Sequence, residues 1–446
     1  MKCLIIAAGQ GTRLKTKGEV KPLVRLLGVP LIERVIRTAM QSGVHEFYVV
    51  TGYQGGKVGS FLKQLAKRLN IAVTIIHNED WEKENGVSVL KAKDAMTEPF
   101  LLLMADHLFD TAIIRSLQGR ALNEGEVILA VDTDKNNPLV DIEDVTKGRI
   151  RNGHILNIGK TIDDFNGFDT GFFLCTPAIF EALERACKIH NDTTLSAAIR
   201  DLAEDKHAKS VQTKGFWIDV DDKNAYQKAE KTLLDSLQGK NADGPVSRWL
   251  NRPISIRLSK VLVNFNITPN QISFFSFMLS IVAAGLFALG DYLYLALGGI
   301  VAQFASIIDG SDGEVARLKY LSSDYGKWFD AVLDRYADAF LLFGLALYVY
   351  NHNPTSIVLG VGFLAIIGSF MLSYTADKYD GLMANRIGQG MRMGRDVRVF
   401  LIFMGAVFNQ AYPALIVNGF TDIEDVTVSD TNLGDILYIN QRIVFI

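Results

Sequence analysis

Cysteine is scarce in this chain, and the few that occur form no recognisable framework. The sequence has 3 cysteines, Cys3, Cys175 and Cys187, which are scattered and lack metal-ligand spacing. We interpret them as reduced core residues of a cytoplasmic part, because an odd and dispersed set suits neither disulfides nor a zinc site. A basic excess is missing too, since the formal net charge is −3. The charge balance therefore gives no argument for nucleic acid as a partner.

Long apolar runs are missing from the first half of the chain. Residues 1–245 have the composition of a soluble α/β protein, and the N-terminal run KCLIIAAG is too short for a secretory signal. Nearly all long apolar runs lie in 270–420, and 446 residues are too many for one ordinary domain. We predict a soluble, cytoplasmic α/β domain over 1–237, a linker and amphipathic interfacial segment over 238–269, and an all-α, polytopic membrane domain over 270–446.

A glycine-rich loop follows the first predicted strand. The apolar residues 2–8 lead into GQGTR (9–13), and backbone N–H groups of such a loop can approach a phosphate. The motif GxxxxGK[ST] is absent, which argues against a P-loop NTPase. The wider pattern LIIAAGQGTRL, then KPL (21–23) and GVPLIERVI, resembles the sugar-phosphate nucleotidyltransferases. That resemblance implies a Rossmann-like α/β fold that condenses a nucleoside triphosphate with a phosphorylated alcohol.

The same resemblance assigns roles to residues of the first domain. Nucleotide binding would fall to Ala8, Gly9, Gly11, Thr12, Asn85 and Gly86, and catalysis to Arg13 and Lys21. A plain helix N-cap is the alternative for the segment at Asn85. Lys160 would bind the phosphate of the second substrate and Asp169 its hydroxyls, with a polar β-hairpin as the alternative for Lys160.

Two acids of the first domain are candidates for holding a metal. Alternating strand and helix patterns over 46–78 predict βαβ units and a largely parallel sheet, and FLLLMADHLFD (100–110) is typical of a buried strand ending in Asp106. Such sheets bind ligands at the carboxyl ends of their strands. The resemblance implies that Asp106 holds the catalytic Mg²⁺ with Asp219, for which Asp221 is the alternative. We interpret His107 as a polar neighbour rather than a ligand.

Four carboxylates lie between two apolar runs of the second half that are long enough to enter a bilayer. They are Asp309, Asp312, Asp330 and Asp334. In helices, the spacings of three and of four residues put each pair on one face. Acids at such a place are costly unless something neutralises them, and they indicate a functional site. Mg²⁺ is the usual oxygen-ligated companion of phosphate substrates.

The spacing of these acids carries a second resemblance. The pattern Asp309-x2-Asp312-Gly313-x2-Ala316-Arg317-x8-Gly326-x3-Asp330-x3-Asp334 is similar to the signature of the CDP-alcohol phosphotransferases. A solvated acidic loop between membrane helices, the alternative, would not need the interleaved Gly, Ala and Arg. The resemblance assigns metal binding to Asp309, Asp312, Asp330 and Asp334, and nucleotide binding to Gly313, Ala316 and Arg317. It also makes Asp334 the general base for the acceptor hydroxyl, with a purely ligating role as the alternative.

The apolar content of the second half predicts the membrane spans. We expect five, at about 271–289, 292–308, 335–351, 354–376 and 397–417, each near the ~20 residues that a bilayer requires. The resembled family normally has a sixth span. The polar tail after Gly419 leaves that helix without a sequence signal.

Basic residues flank these spans. The segment before the first span carries Arg248, Arg252, Arg257 and Lys260, which suits the cytoplasmic interface and anionic headgroups. The segment before the fifth carries Arg386, Arg392, Arg395 and Arg398. We expect Arg395 and Arg398 to bind the acceptor's phosphate, and membrane anchoring is the alternative.

Together the halves resemble the archaeal bifunctional enzymes that fuse an inositol-phosphate cytidylyltransferase to a di-myo-inositol-phosphate-phosphate synthase. The resemblance implies that CTP and inositol-1-phosphate give CDP-inositol and pyrophosphate. CDP-inositol and a second inositol-1-phosphate would then give a phosphodiester and CMP, for compatible-solute production. It also implies Mg²⁺ in both domains, with two ions in the membrane domain, contact with membrane lipids, and a homodimer through the membrane domain.

Two other functions fit the same patterns. One is a phospholipid synthase that uses a CDP-alcohol with a lipid partner, since spacing and charge do not distinguish inositol from choline, ethanolamine or glycerol. The other is a transferase with a non-catalytic nucleotide-binding front domain. The intact Gly11, Arg13, Lys21, Asp106 and Asp219 argue against the latter.

Overall fold

The structure is a computed structural model that describes residues 1–238, 244–383 and 394–420. The chain folds into two compact units, Met1–Leu233 and Leu234–Ile446. Each has its own buried apolar core.

The first unit is a mixed α/β fold. Its strands are β1 (Lys2–Ala7), β2 (Arg25–Leu26), β3 (Val29–Pro30), β4 (Glu46–Thr51), β5 (Ala72–His77), β6 (Phe100–Met104), β7 (His107–Phe109), β8 (Val127–Asp132), β9 (Lys147–Arg151), β10 (His154–Gly159), β11 (Gly167–Cys175), β12 (Ala208–Thr213) and β13 (Trp217–Asp219). Its helices are α1 (Leu31–Met40), α2 (Gly55–Leu69), α3 (Asn85–Leu90), α4 (Thr111–Gln118), α5 (Ala178–His190), α6 (Leu195–Glu204) and α7 (Lys223–Asp235). The last residues of α7 extend beyond Leu233, where the unit ends.

A nine-stranded sheet in the order β5-β4-β1-β6-β11-β8-β12-β10-β9 forms the centre of this unit. β1 pairs in parallel with β4 and β6, so the carboxyl ends of these strands lie at one edge. β11 runs antiparallel to β6 and β8. The prediction of a largely parallel sheet is therefore confirmed for β5, β4, β1 and β6. It is wrong for β11, β10 and β9, which pair antiparallel, although β12 again runs parallel to β8, so the sheet is mixed.

β1 is apolar after Lys2 because both of its faces are covered. Cys3 and Ile5 pack into the core on one side, and Leu4 packs into a second core on the other. The three cysteines are free, with Cys3 and Cys175 buried. This burial on both faces fixes the strand that carries the glycine-rich loop at its end.

The second unit is helical in the residues that the structure describes. Its helices are α8 (Arg252–Leu262), α9 (Pro269–Ala288), α10 (Tyr292–Leu318), α11 (Asp324–His352), α12 (Ser356–Met383), α13 (Arg395–Val407) and α14 (Ala411–Phe420). A π-helical turn at Ser247–Asn251 precedes α8. α9 starts with a capping box, in which Thr268 accepts from the backbone of Gln271 and the Gln271 side chain accepts from Thr268 N.

Two of these helices, α9 and α10, are long and apolar enough to cross a membrane by length and composition. The predicted fifth span, 397–417, is wrong as a single helix. Asn409 takes a positive φ of 55°, and Gln410 N donates to Gly405 O over 2.6 Å. Asparagine tolerates this left-handed conformation, which ends α13 before α14 begins.

α8 packs on α10 through a buried carboxylate. Glu314 is fully buried, and its Oε1 lies 2.7 Å from Arg252 Nη1. Ser255 and Ser259 also donate to Glu314, over 2.6 and 2.7 Å. The guanidinium of Arg252, one of the four basic residues expected at the membrane interface, is therefore bound inside the unit. The exposed basic residues of this segment are Arg248, Arg257 and Lys260.

Candidate active sites

A cavity of about 1010 Å³ opens at the carboxyl ends of β1 and β6. Most of the predicted site residues of the first unit line it, namely Ala8, Gly9, Gly11, Lys21, Asn85, Asp106, Lys160, Asp169, Asp219 and Asp221. Three predicted residues, Thr12, Arg13 and Gly86, are not part of the lining. The β1–loop and β6 ends therefore meet as the pattern of an open α/β sheet predicts.

Lys21 lies between the two predicted metal ligands of this cavity. Its Nζ is 2.5 Å from Asp106 Oδ2 and 3.9 Å from Asp219 Oδ1. Asp106 occupies the turn between β6 and β7, and the pairing of β13 with β7 brings Asp219 opposite His107. Gly11 has a φ of +64°, and a Cβ there would overlap the Lys21 side chain. Glycine at this position thus allows both the turn and the packing of Lys21 against it.

Neighbouring charges set the protonation states of Lys21, Asp106 and Asp219. Burial alone would raise the pKa of Asp106, but the Lys21 ammonium and the His107 contact hold that pKa well below its usual range. Burial acts to lower the pKa of Lys21, yet the Asp106 and Asp219 carboxylates outweigh it and the pKa is raised. Burial raises the pKa of Asp219. Asp106 is therefore ionised and Lys21 charged at neutral pH.

His107 belongs to this cluster, although the sequence indicated only a polar neighbour. Its Nδ1 is 2.9 Å from Asp106 Oδ1 and 3.7 Å from Asp219 Oδ1. Burial works against its charge, but the Asp219 and Asp106 carboxylates raise its pKa to about 9. A Cβ on Gly171 would lie 2.7 Å from His107 Cδ2, so a glycine at 171 leaves room for the ring.

The donor set at this place fits a divalent cation. Ligand atoms of Asp106, His107 and Asp219 lie within 4.8 Å of one another. Asp219 Oδ1 is buried and has no hydrogen-bond partner. A buried carboxylate oxygen without a donor is costly, and Mg²⁺ prefers carboxylate oxygen.

One carboxylate that the sequence did not indicate joins the predicted catalytic residue Arg13 to the predicted phosphate ligand Lys160. Asp144 Oδ2 is 2.5 Å from Arg13 Nη1, and Asp144 Oδ1 is 2.6 Å from Lys160 Nζ. Arg13 also pairs with Asp221, the alternative metal ligand. Burial and the Asp219 charge raise the pKa of Asp221 to about 6. The side chains of Arg13 and Lys160 are therefore both paired with carboxylates.

Asn85 holds two helices together rather than capping its own. The N-cap of α3 is Glu84, and Asn85 Oδ1 instead accepts from Leu195 N, 2.9 Å away at the start of α6. A Cβ on Gly86 would lie 2.6 Å from Leu183 Cδ2, so Gly86 is a close-packing position. The N-cap alternative is wrong, and Asn85 keeps its place on the cavity lining.

The two residues expected to bind the second substrate lie at different places of the sheet, Lys160 after β10 and Asp169 within β11. Lys160 directly follows β10, which pairs antiparallel with β9 and β12 and not with β11, so the polar hairpin over 157–175 that was its alternative is not formed by these described residues. Asp169 lies within β11 and accepts from Gly171 N over 2.7 Å. Burial raises the pKa of Asp169 to about 6. Both side chains line the cavity that contains Lys21.

The second unit brings three of its four predicted acids together. Ligand atoms of Asp309 on α10 and of Asp330 and Asp334 on α11 lie within 4.8 Å of one another. Asp330 Oδ1 is buried without a hydrogen-bond partner, and Ser276 donates to Asp309 Oδ1 over 2.8 Å. This set of hard oxygen donors fits a divalent cation.

Asp312 is not part of that triplet. Its Oδ2 accepts from Ser273 Oγ over 2.5 Å, and its Oδ1 accepts from the backbone of Gly313. Ser273 and Ser276 are three residues apart on α9, a polar pair that the sequence analysis did not single out. The serines hold the two acids of α10 in place from the neighbouring helix.

The three predicted nucleotide-binding residues follow Asp312 on α10. Ala316 is 9% exposed, and its small side chain lies one turn beyond Asp312. A Cβ on Gly313 would lie 3.2 Å from Arg317 Nη1. A larger residue at 313 would therefore crowd the Arg317 guanidinium.

Arg395 lies among the acids of the second unit. Its Nη1 is 2.7 Å from Asp309 Oδ2 and 2.8 Å from Asp334 Oδ1, and its Nε is 3.0 Å from Asp338 Oδ1. Arg398, one turn later on α13, also binds Asp338, with Nη2 3.1 Å from Oδ2. The sequence analysis missed Asp338. The four-residue spacing of Asp330 and Asp334, continued once more, points to it.

Two further predicted basic residues, Arg386 and Arg392, lie outside the described residues.

Two family descriptions match the chain, one for each unit. Residues 3–213 match the MobA-like NTP transferase domain, and residues 266–421 match the CDP-alcohol phosphatidyltransferase family.

Relatives match over nearly the whole length. A protein of Aquifex aeolicus called bifunctional IPC transferase and DIPP synthase is 35% identical over 412 residues, covering 90% of this chain and 90% of the relative. A protein of Rubrobacter xylanophilus with the same name is 35% identical and covers 93% and 92%. Among solved structures, the inositol-1-phosphate CTP transferase from T. maritima is 23% identical with a TM-score of 0.47, covering 52% of this chain and 93% of that chain.

Proposed function

Because this chain belongs to the family of bifunctional IPC transferases and DIPP synthases, we propose that it makes and consumes a CDP-alcohol. The first unit joins CTP to inositol-1-phosphate and releases pyrophosphate. The second unit transfers the phosphoinositol group of CDP-inositol to a second inositol-1-phosphate and releases CMP. The product is a phosphodiester that carries two inositols, formed for compatible-solute production.

One observation carries this proposal: each unit has its own buried acid cluster with a charged nitrogen inside it. In the first unit the nitrogen is Lys21 beside Asp106, and in the second it is Arg395 beside Asp309 and Asp334. Phosphoryl transfer depends on positioning and on compensating phosphate charge. Two such clusters on one chain support two transfers rather than one.

In the first unit, the reacting group needs no general base, because the attacking oxygen belongs to a phosphate. Lys21 Nζ supports the charge that develops at the transferred α-phosphate. Arg13 binds the departing diphosphate part, and Lys160 binds the phosphate of the second substrate. Asp169 accepts from inositol hydroxyls.

Asp106 and Asp219 hold the Mg²⁺ of this unit. The ion supplies charge neutralisation for the triphosphate when it is bound. Asp219 Oδ1, which is buried without a hydrogen-bond partner, supports the assignment. His107 contacts both carboxylates as a charged neighbour.

In the second unit, Asp334 takes the proton from the attacking hydroxyl of the acceptor. Asp309 and Asp330 of the triplet, with Asp312, whose carboxylate contacts Asp330, would hold two Mg²⁺ ions. The ions would supply charge neutralisation for the diphosphate of the donor. Gly313, Ala316 and Arg317 bind the CDP part, where two small residues allow close approach of the backbone. Arg395 and Arg398 bind the acceptor's phosphate as charge-assisted donors.

The second unit spans the cell membrane several times, with the first unit in the cytoplasm. The two apolar helices α9 and α10 support a membrane location, and the exposed Arg248, Arg257 and Lys260 support a cytoplasmic side for α8. The unit contacts membrane lipids and forms a homodimer. Cross-linking in native membranes tests the dimer directly.

The decisive experiment supplies the purified full chain with CTP, Mg²⁺ and inositol-1-phosphate and identifies the products by mass spectrometry. CDP-inositol, pyrophosphate, CMP and the double-inositol phosphodiester are expected. Glycerol, choline and ethanolamine phosphates serve as competing substrates. A product formed only with a lipid acceptor would overturn the proposal in favour of phospholipid synthesis, and the absence of CDP-inositol would leave the first unit without a catalytic role.

A further inference from the structure

Asp338 is a buried acid of the second unit that neither metal binding nor proton transfer uses. It lies on α11 one turn beyond Asp334, and its side chain is 7% exposed. Its carboxylate is not among the three whose ligand atoms lie within 4.8 Å. A charged group in such a place persists only when its partners compensate it.

The partners of Asp338 come from two other helices. Oδ1 accepts from Arg395 Nε over 3.0 Å, and Oδ2 accepts from Arg398 Nη2 over 3.1 Å. Ser369 on α12 donates to Oδ2 over 3.2 Å and accepts from Arg398 Nη1 over 2.5 Å. Asp338 therefore joins the two arginines on one face of α13 and fixes the plane of each guanidinium.

The two sides of the Arg395 guanidinium contact different carboxylates. Nε is held by Asp338, while Nη1 points to Asp309 and Asp334. Two guanidinium groups three residues apart on one helix repel each other, and a carboxylate between them compensates that repulsion. Without Asp338, Arg395 would be drawn fully toward Asp309 and Asp334, and Arg398 would lose its carboxylate partner.

We propose that Asp338 is a positioning residue that orients Arg395 and Arg398 for the phosphate of a polyol phosphate acceptor. The inference rests on the proposed function, because it concerns the acceptor of the same transfer. Asp338 touches neither substrate. It acts through the two arginines, so its removal weakens acceptor binding and leaves the binding of the CDP-alcohol donor in place.

The test is Asp338→Asn in the full chain, purified in detergent with Mg²⁺ and supplied with CDP-inositol. The KM for inositol-1-phosphate rises about 10-fold or more, the scale of one charged phosphate contact. The KM for the donor stays within about 2-fold. Calorimetry with inositol-1-phosphate alone shows the same loss of affinity without any turnover, when Lys160→Ala in both proteins removes the binding signal of the first unit. Asp338→Glu, which keeps the charge, restores part of the affinity.

The chain offers a matched control next to Arg395. Asp396 is an aspartate of α13, whereas Asp338 lies on α11, and the Asp396 carboxylate accepts from Ser247 N over 2.7 Å. Asp396→Asn leaves the acceptor KM unchanged. An equal rise of both KM values in Asp338→Asn, or a fall in kcat with the acceptor KM unchanged, overturns the positioning role.

If Asp338→Asn does not fold, a milder variant tests the positioning role of Asp338. Ser369→Ala removes one hydrogen bond to Asp338 and one to Arg398, and it raises the acceptor KM about 2- to 5-fold. An unchanged acceptor KM in Ser369→Ala contradicts the proposal. Failure of the proposed function gives a different result, because the unaltered chain would then not transfer phosphoinositol from CDP-inositol. In that case, calorimetry would still compare the affinity of the variants and of the unaltered chain for inositol-1-phosphate.

Discussion

Arg395 Nη1 lies 2.8 Å from Asp334 Oδ1, so a predicted phosphate ligand is bonded to the predicted general base. The same nitrogen is 2.7 Å from Asp309 Oδ2. Arg395 therefore supplies the counter-charge that these buried carboxylates need. Cations at Asp309 and a proton-accepting role for Asp334 both require this contact to loosen when substrates bind.

Asp334→Asn should preserve donor binding and lower transfer turnover by about 10²-fold or more, the scale for losing a general base. The amide keeps the size of the side chain but cannot take the hydroxyl proton. Calorimetry of CDP-inositol binding in Mg²⁺, beside single-turnover transfer rates, separates the two effects. Asp309→Asn is the comparison and should weaken donor binding. If Asp334→Asn loses donor binding to the same degree, Asp334 is a ligand and not the base.

Asp106→Asn should abolish CDP-inositol synthesis yet leave transfer from supplied CDP-inositol largely intact. Asp106 carries the closest contact of Lys21, and each unit has its own acid cluster. The two half-reactions are measured separately by pyrophosphate release and by CMP release. Loss of CMP release from supplied donor in a folded Asp106→Asn protein would contradict independent sites.

Asp144→Asn should tighten CTP binding about 2- to 5-fold at low salt. Asp144 forms ion pairs with Arg13 and Lys160. Each exposed ion pair of this kind contributes roughly 0–1 kcal/mol, which the binding of a phosphate must replace. The gain should shrink as ionic strength rises, because salt screens exposed charges. Asp164→Asn, which breaks the Arg149 pair outside the cavity, is the control. Weaker CTP binding in Asp144→Asn would mean that this carboxylate positions Arg13 productively.

Asp169→Asn should stabilise the first unit at neutral pH. Burial raises the folded pKa of Asp169 to about 6, above the ordinary value of about 3.8. The folded state therefore binds more protons between these values, and the stability that the neutral carboxyl contributes is complete below about pH 4 and lost as pH rises through 6.

The asparagine variant carries no such penalty, so it should gain up to about 3 kcal/mol above pH 7 and nothing below pH 4. Thermal unfolding of the full chain in detergent, followed from pH 4 to 8, measures the difference. A gain that does not vary with pH would show that the carboxyl charge is not its source. The same variant should bind inositol-1-phosphate more weakly.

Local patterns on single elements were predictable from the sequence. The spacings of Asp309 with Asp312 and of Asp330 with Asp334 predicted one helical face each on α10 and α11. The structure brings Asp309, Asp330 and Asp334 together from these faces. The β1–loop pattern likewise identified the cavity edge. Both signals depend only on helix and strand periodicity and on the residues directly following a strand.

Tertiary pairing was not predictable in this way. Asp144 lies in an irregular segment with no spacing signal, and only the fold brings it to Arg13. Ser273 fits an apolar helix equally well with or without a carboxylate beside it. The break at Asn409 depends on one residue's left-handed φ, which hydropathy over a window does not detect.

The carboxylate of Glu314 sets a limit on how the transferase part can be isolated. The match to its family begins only at residue 266, whereas Arg252, Ser255 and Ser259 all donate to Glu314. A fragment trimmed to that match would leave an uncompensated charge in the last turns of α10, next to Gly313 and two residues from Asp312. Any shortened chain intended for transfer alone must therefore start upstream of Asn251, whose side chain accepts from Gln303 over 2.8 Å.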